Sequence, residues 1–297
     1  MTKFTWEYKG SSPIKVRTFI MGYGITRTLL KKIKYHGGQT LVNGEPSLVN
    51  RKLITNDVVT VVLPPEPEND NVPASDLPIQ IVFEDEHFLV VNKLSGIASV
   101  PAHNRANDSL VNRVKGYYQR NHYANQKIHI VTRLDKDTSG LVIFAKHHFA
   151  HSVLDKQLKD HQIKKTYLAI VEGTFSTTHF EIYLPIKRAD GSLVKRQVGF
   201  PGKMSITEAW TKQRLRQHTL LKLQIHTGRT HQIRVHMTAI GHPLVGDWLY
   251  NPEDKSFPRQ ALHCAGLRFF NPFAGHFVDC RAPLPDDMKT YLASHER

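Results

Sequence analysis

The stretch that decides the fold is residues 133–140, Arg-Leu-Asp-Lys-Asp-Thr-Ser-Gly, which lies between apolar runs at 128–131 and 141–145. Turn-forming residues between two apolar runs predict a loop that joins two strands, from which a side chain can project off a rigid scaffold. Asp135 lies in this loop, with Arg133 before it and Lys136 after it. Neighbouring cations favour the charged form of a carboxylate, which suits a nucleophile or an ionic partner. Asp135 is therefore the first candidate functional residue.

The same loop matches the first half of an EF-hand calcium loop, with oxygen-bearing side chains at 135, 137 and 139 and glycine at 140. The closing position of such a loop is a bidentate Glu, and here it is Lys146. The flanking patterns also predict strands rather than helices, so we do not expect calcium. Residues 137–139 are interpreted as turn formers whose side chains bond nearby backbone groups. Taken alone, Asp135 is open to the same interpretation.

Length and composition exclude several classes of protein. The 297 residues are enough for a large core and two domains. No apolar stretch is long enough to span a membrane, and the N-terminus lacks the apolar segment of a signal peptide. The two cysteines, Cys264 and Cys280, make no disulfide framework, so we expect a reduced cytoplasmic protein. The net charge of +14 and pI near 9.7 predict a polyanionic partner, most often nucleic acid.

The chain divides at a segment rich in proline and acidic residues, 64–78, which is predicted to be a linker. It separates a small module, 1–63, from a body, 79–297. The module has ten Lys and Arg against three acidic residues, a net charge of +7 and half of the total charge of the chain.

The module has a readable pattern of two short helices and a hairpin. Pro13 at the first helical position predicts one helix, with Val16, Phe19 and Ile20 on its buried face. Thr26 is predicted to cap a second helix. Apolar residues at 30 and 33 give that helix its own buried face. Asn43-Gly44 predicts a tight turn between two strands.

The second helix also has a basic face, because Arg27, Lys31 and Lys34 follow one another at i, i+4 and i+7. Two short helices, a basic face and an Asn-Gly hairpin resemble the S4 RNA-binding domain over about residues 13–63. The resemblance implies that these three cations contact RNA. The alternative is an ordinary solvated helix face.

The body alternates many strands with few helices, which predicts an α+β fold with a mainly antiparallel sheet. Its second dense cluster is residues 227–236, Thr-Gly-Arg-Thr-His-Gln-Ile-Arg-Val-His. A helix capped by Thr230 is predicted here, with Ile233 facing the core and His231 and Arg234 sharing another face. An Arg placed in this way can pair with a carboxylate.

Two further patterns are weaker. His226, His231 and His236 recur every five residues, a spacing that brings no three of them together on a helix or a strand, so no catalytic metal is expected. Tyr167 begins a strand after Lys164 and Lys165. Its ring can stack on a nucleobase, although most strand tyrosines are core residues.

Taken together, the motifs resemble the RluA/RluD family of pseudouridine synthases. They are, in order, Val-Asn-Lys-Leu-Ser-Gly at 91–96, Arg-Leu-Asp at 133–135 with Thr-Ser-Gly at 138–140, Lys-x-Tyr-Leu-Ala at 165–169, Gly-Arg-Thr-His-Gln-Ile-Arg-Val-His at 228–236 and Leu-His at 262–263. The resemblance covers nearly the whole body, and an S4-like module is a common partner in this family. It implies an isomerase that acts on ribosomal or transfer RNA, without a cofactor.

The resemblance also implies roles for individual residues. Asp135 stands where the family has its catalytic aspartate, Arg234 where an arginine pairs with it, and Tyr167 where a tyrosine stacks on the target base. Arg133 matches the arginine that holds the flipped-out nucleotide or fills its place. The loop around Arg234 adds candidate substrate contacts from Arg229, His231 and Gln232.

One residue departs from the family pattern. Thr132 stands where the family often has His, which puts a helper contact in doubt.

Two rival functions were considered. A non-catalytic RNA-binding factor for ribosome assembly would keep the fold without needing the catalytic trio. An S4-linked methyltransferase would need a glycine-rich cofactor loop, and the sequence has none that is convincing. A monomer is expected.

Overall fold

The computed structural model describes residues 2–68, 72–101 and 108–296. The N-terminal unit contains β1 (Lys3–Glu7), β2 (Ile14–Lys15), α1 (Val16–Gly22), α2 (Arg27–Tyr35), β3 (Gln39–Val42), β4 (Glu45–Pro46), β5 (Lys52–Leu53) and β6 (Val58–Val62). Its main sheet is antiparallel, in the order β1-β6-β3-β4, and β2 pairs with β5.

Most of the local signals in this unit correspond to the structure. The Thr26 side chain accepts a hydrogen bond from the Leu29 amide and caps α2. Asn43 and Gly44 both have positive φ, 55° and 87°, as a tight hairpin turn between twisted strands requires. The predicted helix start at Pro13 is wrong. The preceding backbone is extended because β2 pairs with β5, and α1 begins at Val16.

The body contains β7 (Gln80–Glu84), β8 (Phe88–Lys93), α3 (Leu110–Arg120), β9 (His129–Ile130), β10 (Ser139–Ala145), α4 (His148–Lys159), β11 (Lys164–Glu172), β12 (His179–Arg188), β13 (Arg196–Val198), β14 (Lys203–Arg214), β15 (His218–Ile225), α5 (Gln232–Ala239), β16 (Leu262–Asn271), β17 (His276–Arg281) and α6 (Asp286–Ser294).

These strands form one large mixed sheet, in the order β13-β12-β14-β15-β11-β16-β10-β8-β7, with β17 beside β16 and β9 beside β10. Every pairing is antiparallel except that of β10 with β16, which is parallel over two residue pairs. The prediction of a mainly antiparallel mixed sheet is confirmed. The central strand β10 is buried along its whole length, Ser139 to Ala145, because it lies in the middle of the body's core.

A seam joins the N-terminal unit to the body. Phe149 and Val153 of α4 belong to the same buried cluster as Phe4 and Leu29 of the N-terminal unit. The ring of Phe149 meets that of Phe4 edge-on, with 4.8 Å between centroids. The core of the N-terminal unit is therefore completed by a helix of the body.

The segment that was predicted to be a linker contributes to this seam. Within the described parts of 64–78, the carboxylate of Glu66 accepts hydrogen bonds from the His148 amide (2.8 Å), the Asn125 side chain (3.0 Å) and His129 Nε2 (2.8 Å). Lys32 of α2 reaches His148 Nδ1 at 3.2 Å. Residues 69–71 of the segment lie outside the described residues.

In the part of the chain that the structure describes, no helix combines the length and the apolar character needed to cross a membrane.

Candidate active site

The loop that bears Asp135 is fixed where it enters β10. Gly140 has φ of +115°, and a Cβ there would lie 2.3 Å from the carbonyl oxygen of Cys264 on β16. Only glycine permits this approach, which brings the start of β10 beside β16. Within the loop, the Thr138 amide donates to the Asp135 carbonyl at 3.1 Å and closes a turn. The predicted turn is present, but the prediction that these side chains bond nearby backbone groups is wrong for two of them: Thr138 Oγ1 accepts from Gln260 Nε2 at 3.2 Å, and Ser139 Oγ lies 3.0 Å from His263 Nδ1.

Buried donors hold the loop from below. The Lys93 ammonium, 1% exposed, donates to the carbonyl oxygens of Leu94 (3.0 Å), Ile97 (2.8 Å) and Lys136 (2.8 Å). Burial lowers the pKa of Lys93 to about 7. The hydrogen bond from Lys93 to the Lys136 carbonyl links the motif at 91–96 to the Asp135 loop, so this motif helps to position the loop.

Two serines complete the anchoring. Ser95 Oγ donates to the Asp137 carbonyl at 3.0 Å, and Ser99 Oγ donates to the Leu134 carbonyl at 2.6 Å. The backbone on both sides of Asp135 is therefore fixed before any ligand binds.

Arg234 of α5 lies between two carboxylates. Its Nη1 is 3.1 Å from Asp135 Oδ2, and its Nε and Nη2 each lie 2.7 Å from an oxygen of Asp247. Asp247 is fully buried and Arg234 is 3% exposed. The sequence predicted the pair of Arg234 with Asp135. It gave no sign of Asp247, which lies in a loop without periodic pattern, 13 residues beyond its partner.

His231 precedes α5 in a left-handed conformation, with φ of 57°. Its Nε2 is 3.7 Å from Asp135 Oδ2, and its Nδ1 is 3.0 Å from the Tyr250 hydroxyl. Burial, together with the charge of Arg234, lowers the pKa of His231 although Asp135 opposes this. A neutral imidazole therefore lies beside the carboxylate at neutral pH. Tyr250 is a second residue of this site that sequence patterns did not indicate.

The predicted cap of α5 is wrong. Thr230 is exposed, and the residue that precedes the helix is His231, whose side chain makes no capping bond. Instead, the turn is shaped by Gln232. Its Oε1 accepts from Thr227 Oγ1 (2.8 Å) and the Arg229 amide (3.1 Å), and its Nε2 donates to β14. The amide of Gln232 is thus occupied within the protein, whereas the Arg229 side chain is exposed.

Tyr167 approaches the site from β11. It is 5% exposed, and burial, followed by the proximity of Cys264 and Asp135, raises its pKa well above the usual range. The phenol is therefore neutral at physiological pH. Arg133 is exposed. Thr132 is 4% exposed, and its Oγ1 accepts a hydrogen bond from the Ile143 amide at 3.3 Å. This side chain therefore stabilises strand β10.

One cavity of about 830 Å³ unites these side chains. Among its lining residues are Arg133, Asp135, Tyr167, Arg229, His231, Gln232 and Arg234. The three cations predicted on α2 do not line it. Arg27, Lys31 and Lys34 are exposed on the N-terminal unit.

The three evenly spaced histidines have separate partners. His226 pairs with Glu208, His231 with Tyr250, and His236 with Thr207. Elsewhere among the described residues, His179, Glu181 and Glu208 have ligand atoms within 4.8 Å of one another, on β12 and β14. His179 and Glu208 are already paired at 2.9 Å, and none of the three lines the cavity.

Several known proteins are similar to this chain. The sequence pattern of the RNA pseudouridylate synthases matches residues 87–239. An RNA pseudouridine synthase of Bacillus subtilis, uncharacterized by its name, is 38% identical over 93% of this chain and 98% of its own. The ribosomal large subunit pseudouridine synthase D of Zymomonas mobilis is 38% identical over 80% of this chain and 79% of its own.

A solved structure resembles the body as well. Human RNA pseudouridylate synthase domain containing 1 superposes with a TM-score of 0.60 at 26% identity, and the match covers 71% of this chain and 85% of that one.

Proposed function

Since the chain belongs to the RNA pseudouridylate synthase family and is an RNA-modifying isomerase, we propose that Asp135 is its catalytic carboxylate and that the cavity around it receives a single flipped-out uridine. The contact of Asp135 with Arg234 at 3.1 Å, on the wall of a cavity that Tyr167 also lines, is the observation that carries this assignment.

Pseudouridine formation breaks the N1–C1′ bond of a uridine and joins C5 to C1′. The reaction exchanges no electrons with a partner and donates no group, so it needs neither a redox cofactor nor a group carrier. The uridine first leaves its stack, at a cost of a few kcal/mol. Contacts of basic residues with the RNA backbone offset this cost.

Asp135 then acts at the sugar, as a nucleophile towards C1′ or as a base. Arg234 orients the carboxylate through its contact at 3.1 Å, and it is itself held by Asp247 on its other edge. Such preorganised charge is worth more in a water-poor cavity than in bulk solvent. The fixed backbone of the loop allows the carboxylate to meet the sugar without prior rearrangement.

Tyr167 holds the detached uracil while it turns to present C5. Its neutral phenol offers a flat ring and one hydroxyl, and its burial against β16 fixes the plane of the ring. Arg133, exposed at the rim, contacts the flipped nucleotide or fills the space that it left. Arg229 and His231 contact the nucleotide from the opposite wall, where Gln232 shapes their loop.

The N-terminal unit supplies RNA affinity as an S4-like RNA-binding domain of residues 1–63, joined through 64–78 to the catalytic domain of residues 79–297. The exposed cations Arg27, Lys31 and Lys34 support this, because no acidic side chain in the described parts of the chain forms an ion pair with any of them. Unpaired exposed cations on one helix face are available to phosphates.

The substrate class is structured RNA, with large-subunit ribosomal RNA favoured over transfer RNA. The support is the similarity to enzymes named for the ribosomal large subunit, at 32–38% identity. We propose that the enzyme acts as a cytoplasmic monomer. The rival function, an assembly factor without catalysis, is not favoured because Asp135, Tyr167 and Arg234 are all present and share one cavity.

The experiment is tritium release from RNA labelled at uridine C5, with ribosomal and transfer RNA from cells that lack this enzyme offered separately. Release by the wild type from one RNA, and by Asp135→Ala from neither, is the expected result. Normal release by Asp135→Ala would overturn the assignment of the carboxylate. Intact binding without release by the wild type would favour the assembly factor.

A further inference from the structure

Two lysines of low exposure, Lys93 and Lys146, have oxygen acceptors for their ammonium groups. The Lys93 ammonium donates to three backbone carbonyls, and the Lys146 ammonium lies 2.7 Å from Glu84 and 2.6 Å from the Asp85 carbonyl. This is the normal rule, because a buried cation without a partner is costly.

Lys165 differs from these two. It is half-buried in the central strand β11 and lines the cavity, yet its ammonium makes no hydrogen bond or ion pair with any residue that the structure describes. The titratable group that would act on the Lys165 ammonium electrostatically is the Cys264 thiol. Burial keeps this thiol protonated by raising its pKa to about 11. The Lys165 amine thus lies at the cavity without a partner among the described residues.

The position of Lys165 relative to Tyr167 suggests the missing partner. Both side chains line the cavity while Thr166 between them does not, so they project from the same face of β11. Two residues along a strand span about 6.6 Å, which the lysine stem can bridge. A base that lies against the ring of Tyr167 would bring its edge within reach of the Lys165 ammonium.

We propose that Lys165 is a further catalytic residue, whose ammonium donates a hydrogen bond to a carbonyl oxygen of the flipped uracil and stabilises the ring as the base departs. This inference rests on the proposed function. A phosphate is the less suitable acceptor, because the exposed cations at the rim meet the RNA backbone first, whereas Lys165 lies beside the buried Tyr167.

The chemistry requires a donor here. When the N1–C1′ bond breaks, its electron pair stays on the uracil, and the negative charge spreads over the ring nitrogens and carbonyl oxygens. Lys165 donates its hydrogen bond to that anion and keeps its proton. The C5–C1′ bond then forms, and the proton on C5 leaves to a base or to solvent. The same stabilisation applies whichever role Asp135 plays at the sugar.

The test compares Lys165→Met with a matched control, Lys222→Met. Lys222 is a half-buried lysine on the next strand but outside the cavity, and its ammonium lies 4.7 Å from the centre of the Trp210 ring. The substrate is total RNA labelled with tritium at uridine C5, from cells that lack this enzyme. Single-turnover release, RNA affinity by filter binding and the melting temperature are measured for each variant.

Lys165→Met is expected to slow single-turnover release by about 100-fold, the usual effect of removing one preorganised donor. RNA affinity should stay within about threefold and the melting temperature should hold or rise, since a lone buried cation does not stabilise a fold. Lys222→Met should release tritium within about twofold of the wild-type rate, because its side chain does not face the cavity. Lys165→Arg should restore part of the rate.

The pH profile separates catalysis from structure. Burial lowers the pKa of Lys165, so the wild-type rate should fall on the alkaline side as the ammonium loses its proton. In Lys165→Arg this fall should move to higher pH, because guanidinium keeps its proton.

A Lys165→Met rate within twofold of wild type would overturn the role of Lys165 alone, as would a loss of rate and melting temperature in parallel. Absence of release by the wild type would overturn the proposed function with it.

Discussion

Two carboxylates of this protein, those of Glu66 and Asp135, both accept contacts from nitrogen donors. They differ in how much of their hydrogen-bond acceptor capacity the protein itself uses. Glu66, at the seam between the two parts of the molecule, is 9% exposed in its side chain and accepts three hydrogen bonds. Asp135 is 29% exposed in its side chain, with one close contact, from Arg234, and His231 at 3.7 Å. The structural carboxylate is saturated, whereas the candidate catalytic one keeps acceptor capacity open to the cavity.

The partners differ too. Arg234 is charged at every physiological pH, so the ion pair of Asp135 does not depend on titration of its partner. Glu66 instead accepts from two neutral amides, those of the His148 backbone and the Asn125 side chain, and from one imidazole, that of His129. A site for ligands is marked by groups whose partners are incomplete, as those of Asp135 and Lys165 are among the described residues.

The largest effect on activity is expected from Asp135→Asn. We expect a loss of turnover of at least about 10⁴-fold, since removing a group that acts directly on the reacting atoms costs this much or more. RNA affinity should change little. Asp137→Asn, two residues away in the same loop, is the matched control and should stay within a few-fold of wild type. Equal loss in both variants in the tritium assay would indicate damage to the loop and not to chemistry.

The second-largest effect on activity is expected from Asp247→Asn, which weakens the ion pair that holds Nε and Nη2 of Arg234. We expect about a 100-fold fall in kcat with little change in KM, because the guanidinium loses its fixed orientation towards Asp135. The free energy of unfolding should fall by about 3 kcal/mol as the buried pair is broken. Urea unfolding and steady-state kinetics check the two effects. Unchanged kcat would show that Arg234 does not depend on Asp247.

Glu66→Gln should affect stability and spare catalysis. Although burial alone would raise it, hydrogen bonds and charge from His129 and His148 hold the pKa of Glu66 at about 2, below its ordinary 4.5. Its contribution is therefore present above pH 4.5 and lost as pH falls towards 2. The loss at pH 7 should be about 1–3 kcal/mol.

His148, at the same seam, also makes the free energy of unfolding fall as the pH falls. Burial, with Lys32 nearby, lowers the pKa of His148 from 6.5 to about 4, so the folded protein favours its neutral form and loses stability as pH falls from 6.5 towards 4. Urea unfolding between pH 7 and pH 3 should show wild-type stability falling throughout, and the Glu66→Gln curve should be flatter below pH 4.5. Parallel curves would contradict the role given to Glu66.

The smallest effect on chemistry is expected from Arg27→Gln, Lys31→Gln and Lys34→Gln combined. RNA affinity should fall and the slope of log K against log salt should decrease by up to about 2, because up to three phosphate contacts are lost. Single-turnover rates at saturating enzyme should not change. This variant is preferable to deletion of residues 1–63, which would expose Phe149. An unchanged slope would count against an RNA-binding role for α2.

Sequence reasoning succeeded where chemistry is local and periodic. The cap of α2 by Thr26 and the tight turn at Asn43-Gly44 each follow from residue types at fixed spacing, and the resemblance to a known family implied the pair of Arg234 with Asp135. It failed where a tertiary contact decides. The Thr230 cap is displaced by the side chain of Gln232, and the helix start at Pro13 by pairing with β5.

The site shows the same division. Asp247 and Tyr250 contact the cavity-lining residues Arg234 and His231 from a loop between α5 and β16 that has no periodic pattern, so no spacing rule could place them. Lys165 was visible only as part of a motif. Its meaning depends on the absence of an acceptor among the described residues, which only three-dimensional placement reveals.

The short parallel contact between β10 and β16 affects the order in which parts of the protein fold. It joins Ser139 to His263 and Gly140 to Cys264, residues more than 120 positions apart, through two residue pairs. Contacts between distant parts of a chain form late, because the entropy of closing a long loop is lost before these contacts contribute any stability. The cavity therefore matures after the hairpins around it. In hydrogen exchange during refolding, we expect the amides of β8 and β10 to gain protection before those of residues 133–138.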